Sequence, residues 1–162
     1  MRKLLLTLLF VPLLLSCVEQ EKVQCPQYIA HAGGAIDSCI YTNSLEALEL
    51  AVANGYRFIE FDFNFTSDSV LIASHSWEEF NAMTGCSHKR DTAPTYGEFI
   101  SRRIHGRYTP LSAEEINRFF LSHPNLFLVT DKVSSPQVLG EYFPELKQRM
   151  VVEAFSYPHY TQ

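Results

Sequence analysis

The sequence has 162 residues, enough for one ordinary domain and too few for two. Its 46% apolar and 19% charged residues exclude intrinsic disorder over most of the length. Lys+Arg number 13 against 18 Asp+Glu, a formal charge of −5, and the densest basic stretch is only Arg102, Arg103 and Arg107. No nucleic-acid partner is expected, because that charge leaves no electrostatic footprint for one.

Arg2 and Lys3 precede an almost unbroken apolar run over residues 4–15. A run of that length reaches about 18 Å as a helix, short of the roughly 30 Å of a membrane span, and has the size of a signal-peptide apolar region. Leu14, Leu15, Ser16 and Cys17 resemble a bacterial lipobox. Residues 1–16 are therefore expected to be a lipoprotein signal peptide and 17–27 a tether, with Cys17 the site of lipidation. A plain signal peptide with an incidental Cys17 is the alternative. Acylated Cys17 would anchor the protein to membrane lipid in the bacterial cell envelope, each buried CH₂ adding about 0.8 kcal/mol. Export permits a disulfide, Cys25–Cys39 or Cys39–Cys86, and the absence of any C-x-x-C pair weakens redox and structural zinc readings.

Residues 28–162 carry the folded part. A short strand is predicted at 28–31, ending at His31 ahead of Gly33 and Gly34. Leu45, Leu48, Ala51 and Val52 then repeat at helical spacing, with Asn43 or Ser44 as N-cap and Asn54-Gly55 as stop. An alternating strand follows at 56–63 and a shorter one at 70–73, ending at Ser74-His75. Residues 78–110 read as loops and short helices, including one over 95–103. Ser112 and Glu115 form a capping box for a helix over 113–121. Strands at 125–130 and 150–155 enclose a helix over 136–148 that Pro144 interrupts. The βα rhythm predicts an α/β fold with a parallel sheet and helical crossovers, and in such folds sites form where strands end.

Glu60 and Asp62, two apart on an aromatic strand, point to the same side. Two carboxylates on one face of an apolar segment are costly to bury unpaired, and a divalent cation with oxygen ligands, Ca²⁺ or Mg²⁺, removes the difficulty. Facing water, or pairing with Arg57, would serve as well. Asp131, at the end of another strand, is a candidate third ligand. His31 and His75 end different strands, where imidazoles beside a carboxylate cluster suit general acid and base work. Lys132 is placed to steady a phosphate oxygen or to make a surface ion pair, and Asn43 to bond substrate or to cap a helix. Tyr41 and Trp77 are candidates for a pocket mouth; Phe58, Phe61 and Phe63 read as core. No P-loop, G-x-G-x-x-G or G-x-S-x-G segment is present.

Taken together, His31-Ala32-Gly33-Gly34, Thr42-Asn43-Ser44, Ile59-Glu60-Phe61-Asp62 and Ser74-His75 resemble the glycerophosphodiester phosphodiesterase family of the phospholipase-C-like superfamily. The resemblance implies a (β/α)₈ TIM barrel that cleaves a small phosphodiester. It makes His31 and His75 the acid/base pair and Glu60 and Asp62 ligands of Ca²⁺ or Mg²⁺. Asp131 carries over as a third ligand, and Asn43 and Lys132 as substrate-binding residues. Ala32 stands where the family has arginine and Ser76 where it has aspartate, departures typical of a divergent exported subgroup. A barrel needs about 250 residues, so about its N-terminal half is expected here. Self-association or a C-terminal half supplied from elsewhere would complete it. The alternative function is a non-catalytic barrel remnant or an envelope binding module.

Overall fold

The computed structural model describes residues 28–154, and the predicted signal peptide, Cys17, the tether and the strand end beyond residue 154 lie outside them. At the centre is β1 (Phe58–Phe65), whose first six residues are buried. Together with β2 (Leu71–Ala73), β3 (Phe127–Asp131) and β4 (Met150–Val152) it forms a sheet of order β2-β1-β3-β4. The β1/β3 and β3/β4 pairs are parallel, with Glu60 opposite Val129 and Asp62 opposite Asp131. The β1/β2 pair is antiparallel, with Phe63 opposite Ala73.

The TIM barrel expectation is corrected by this topology. The described residues make an open, mixed four-stranded sheet with five helices, not a closed (β/α)₈ barrel or a parallel part of one. Two local features set the difference. Segment 28–31 makes only one parallel bridge, Ala30 to Ile59, before Ala32 turns the backbone to φ 51°, ψ 44° and a 3₁₀ turn forms over His31–Gly33. Between β1 and β2 the chain reverses through a tight turn. There the Thr66 and Val70 backbones bond at 3.0 Å, and Thr66 Oγ1 accepts from Val70 N–H at 2.9 Å. A two-stranded reversal needs no crossover helix, so β2 lies antiparallel to β1.

The helices follow from apolar spacing and caps. In α1 (Leu45–Ala53), Ala47, Leu48 and Ala51 are buried, and Ser44 is the N-cap, accepting from Ala47 N–H at 3.4 Å. Asn43 has another task, described below. After α2 (Trp77–Met83), both α3 (Tyr96–Ser101) and α4 (Ala113–Ser122) begin with complete capping boxes, Thr95 with Glu98 and Ser112 with Glu115. Ala113, Ile116 and Phe120 form the buried face of α4. The helix predicted over 136–148 stops early, as α5 (Pro136–Tyr142), because the chain must leave helical geometry before Pro144.

Alternation along β2 places Leu71 and Ala73 in a main core with Phe61, Phe63, Phe120, Leu128 and Phe143. Ile72 points the other way, into a second core of Trp77, Phe80, Phe99, Ile104 and Tyr108. Residues 78–110 hold the expected loops and short helices, packed as a layer on this second core, and Trp77 is core rather than pocket mouth. Arg149 joins the layers: its guanidinium donates to the Phe120, His123 and Leu126 carbonyls at 2.9–3.3 Å. The Phe120 and His123 carbonyls also accept from His123 N–H at 3.2 Å and Leu126 N–H at 3.1 Å, so Arg149 adds a charged donor to the turn that leads from α4 to β3. Cys39 and Cys86 are both free thiols, so the Cys39–Cys86 bridge is not formed. Among the described residues no helix is long and apolar enough to cross a membrane.

Candidate active site

Glu60 and Asp62 leave β1 on the side opposite Phe61 and Phe63, and both are buried, at 2% and 0% exposure. Register brings Asp131 beside Asp62, and one carboxylate oxygen each from Glu60, Asp62 and Asp131 lies within 4.8 Å of the others. Arg57, the alternative partner, turns away; it donates to the Asn125 carbonyl at 3.2 Å and lies over the Phe127 ring. The carboxylates are steadied from the backbone side. Ala32 N–H donates to Glu60 Oε2 at 2.6 Å. Asn43 clamps Asp62 twice, donating from Nδ2 to Oδ2 at 3.1 Å and accepting the Asp62 N–H on Oδ1 at 3.2 Å. Asn43 in turn is held by its own N–H on the Ala32 carbonyl at 3.0 Å.

One oxygen on each buried carboxylate, Glu60 Oε1 and Asp62 Oδ1, has no hydrogen-bond partner. Burial, reinforced by the charges of Asp62, Asp131 and Glu153, pushes the Glu60 carboxyl up to about 8 despite the Ala32 N–H. Burial likewise raises Asp62, against the Asn43 hydrogen bond and the nearby His75 and Lys132. Buried acceptors without donors are rare, and three carboxylates this close repel each other. An oxygen-only set of this kind fits a hard divalent cation.

Both histidines border the cluster. His31 Nε2 lies 3.7 Å from Glu60 Oε2, with most of the ring exposed. His75, about one-third exposed, places Nδ1 2.8 Å from Glu79 Oε2. Tyr41 sits between the two imidazoles, its ring centroid 4.9 Å from that of His31 and 5.4 Å from that of His75. The strand-end positions thus converge on one place, although His31 comes from a 3₁₀ turn. Lys132 follows Asp131 with φ 69° and an exposed side chain. Ala32, where the family resemblance expects arginine, is fully buried and offers only backbone groups, its N–H to Glu60 and its carbonyl to Asn43. Glu79 was missed by sequence reasoning. The available signal was its place four residues after His75, at the start of a helix capped by Ser76.

The glycerophosphoryl diester phosphodiesterase family profile matches residues 31–155. The chain belongs to that family. No protein of curated function matches the sequence. Among solved structures, a candidate glycerophosphodiester phosphodiesterase from Galdieria sulphuraria superposes with a TM-score of 0.66 at 17% identity, over 84% of this chain and 59% of that one. A glycerophosphodiester phosphodiesterase from Parabacteroides distasonis gives 0.56 at 22%, over 81% and 57%. An Oleispira antarctica phosphodiesterase in complex with the product sn-glycerol-3-phosphate gives 0.56 at 19%, over 82% and 58%. At these identities the likeness is one of fold, and the chain spans under two thirds of each of these relatives.

Proposed function

We propose that the protein is a metal-dependent phosphoric diester hydrolase acting on a glycerophosphodiester or a related phospholipid-derived substrate. The observation that carries this reading is the buried Glu60–Asp62–Asp131 cluster, with unpartnered oxygens, beside two histidines in a chain of this family. Glu60, Asp62 and Asp131 would hold the cation, Ca²⁺ or Mg²⁺ by the chemistry of the donor set. Such a cation, when bound, offsets charge on phosphoryl oxygens. Asn43 keeps Asp62 aimed at the cluster, and the Ala32 N–H does the same for Glu60. One of His31 and His75 accepts the proton of the attacking hydroxyl while the other protonates the leaving oxygen. Exposed Lys132 contributes a positive charge for the substrate phosphate. Acylated Cys17 would hold the protein at the bacterial envelope, and a second copy or a further polypeptide would cover the open sheet.

The second reading is a non-catalytic binding module, favoured by the buried Ala32, which supplies no cation at the expected arginine position. The test is hydrolysis of glycerophosphodiesters by the purified protein with Ca²⁺, Mg²⁺ or chelator. The hydrolase reading expects metal-dependent turnover that falls by about 10²–10⁴-fold in His31→Ala and in His75→Ala. Metal binding without turnover would leave the binding module ahead. Cys17→Ser should abolish lipid labelling; processing unchanged in that variant would refute the anchor.

A further inference from the structure

We propose that Glu79 is a positioning residue that holds His75 with hydrogen on Nδ1, so that Nε2 is the atom that takes the substrate's proton. The proposal rests on the hydrolase reading and names the histidine that fills its base role.

The argument begins with a capping box that is left open. Ser76 is the N-cap of α2 and accepts from Glu79 N–H at 3.2 Å, so Glu79 stands at the third helical position. A glutamate there ordinarily reaches back to the N-cap backbone N–H. In this protein Glu98 does so in α3 and Glu115 does so in α4. The Ser76-Trp77-Glu78-Glu79 segment has the same residue pattern, yet the Glu79 carboxylate goes to the His75 ring at 2.8 Å. Of three equivalent glutamates, the one beside the candidate site is turned to an imidazole.

An ionised carboxylate has only acceptors, so the ring nitrogen facing it carries hydrogen whether the imidazole is neutral or charged. Nε2, the nitrogen farther from the backbone, is left with the lone pair in the neutral ring. Which nitrogen of a histidine is protonated follows from the bond the other makes. The groups that face His75 are Glu79 from α2, the Tyr41 ring at 5.4 Å from the preceding loop, and Asp62 from β1, whose acidity responds to the His75 charge. As the substrate hydroxyl oxygen bonds to phosphorus, its proton passes to Nε2. The bond from phosphorus to the leaving oxygen breaks, and that oxygen takes a proton from His31. The resulting His75 imidazolium keeps its Nδ1–H on Glu79, whose negative charge stabilises it. Water then opens the cyclic phosphodiester so formed, giving a proton to His31 while the released ring oxygen takes the proton on Nε2, so that both rings are reset.

The ¹⁵N-labelled protein, studied by two-bond proton–nitrogen spectra in chelator at a pH where the ring is neutral, reads the tautomer without any turnover. His75 signals are identified by their loss in His75→Asn. The expected result is a protonated-type Nδ1 and a lone-pair-type Nε2, reverting in Glu79→Ala but not in Glu78→Ala, an exposed neighbour on the same helix. Hydrogen on Nε2 in the unmodified protein, or a spectrum unchanged in Glu79→Ala, would overturn the proposal. In the metal-supplemented assay Glu79→Ala should lower kcat on the order of 10²-fold with KM little changed. A fall in KM-governed rate alone would refute the positioning role. The expected tautomer in a protein without turnover would overturn the catalytic reading and leave the Glu79–His75 assignment standing.

Discussion

Glu60 makes the stability of the metal-free protein depend on pH with an unusual sign. Its carboxyl is carried from an ordinary 4.5 to about 8 by burial and by the neighbouring Asp62, Asp131 and Glu153 charges. The unfolded chain releases this proton near pH 4.5 and the folded one near 8, so across that window the folded state binds more protons. Stability therefore falls as pH rises, the reverse of a salt-bridged carboxylate. At about 1.36 kcal/mol per pH unit the full effect is about 5 kcal/mol, and water entering around the cluster lowers it to about 2–5 kcal/mol. For a chain of this size that is roughly 5–15 °C in Tm between pH 5 and 8. Thermal melts in chelator measure it directly. Glu60→Gln, which cannot ionise and still accepts from Ala32 N–H, should flatten the dependence. Divalent cation should restore the unmodified protein at pH 8, by about 2.7 kcal/mol at a hundredfold excess over Kd, and leave Glu60→Gln little changed. A flat profile in chelator, or the same slope in Glu60→Gln, would refute the reasoning.

Asn43→Ala removes both contacts to Asp62 and should cost about 1–3 kcal/mol by urea titration. It should also weaken cation binding by calorimetry about 10- to 100-fold, the usual effect of losing a partner behind a ligand. Gly33→Ala sets a Cβ 3.2 Å from the Phe61 ring at φ 77°, and a loss of about 1–2 kcal/mol is expected in the same titration. Arg149→Ala removes its hydrogen bonds to the Phe120 and His123 carbonyls at the end of α4 and to the Leu126 carbonyl before β3, and should lower stability by about 1.5–3 kcal/mol, with faster amide exchange at the carboxyl end of that helix.

What could be read in the sequence was whatever depends on local spacing. The i, i+3 and i, i+4 apolar pattern of α1 and α4, the Ser112 and Glu115 box, and the β3 run all declare themselves within a few residues. Glu60 and Asp62 are legible as a pair for the same reason, since a strand repeats every two residues. The alternation of β1 holds in direction, Phe61 and Phe63 toward the main core and Glu60 and Asp62 away from it, yet both faces are covered, the second by the loop of residues 31–44. The open sheet, the antiparallel β2 and the second core depend on contacts between distant segments. Arg149 against Phe120 is another such contact, 29 residues apart, and no local pattern announces it.

The deepest failures of local reading fall on the site itself. Ala32, Tyr41, Asn43 and Lys132 all have left-handed backbones, with φ of 51°, 60°, 48° and 69°. Only asparagine among them takes that conformation readily. Propensity therefore argues against the turn at Ala32 that aims its N–H at Glu60, and against the one that sets the Tyr41 ring between His31 and His75. Conformations of this kind cost of order 1–3 kcal/mol each and persist only where surrounding contacts over-determine them. Here those contacts are Ala32 N–H on Glu60, Asn43 on Asp62 and Asn43 N–H on the Ala32 carbonyl, a closed set that joins the strained loop to the buried carboxylates. A fold relieved of any task at this position would relax the loop and exchange Glu60 and Asp62 for apolar residues. That both the strain and the unpartnered oxygens remain is the physical case for a site that still holds a cation.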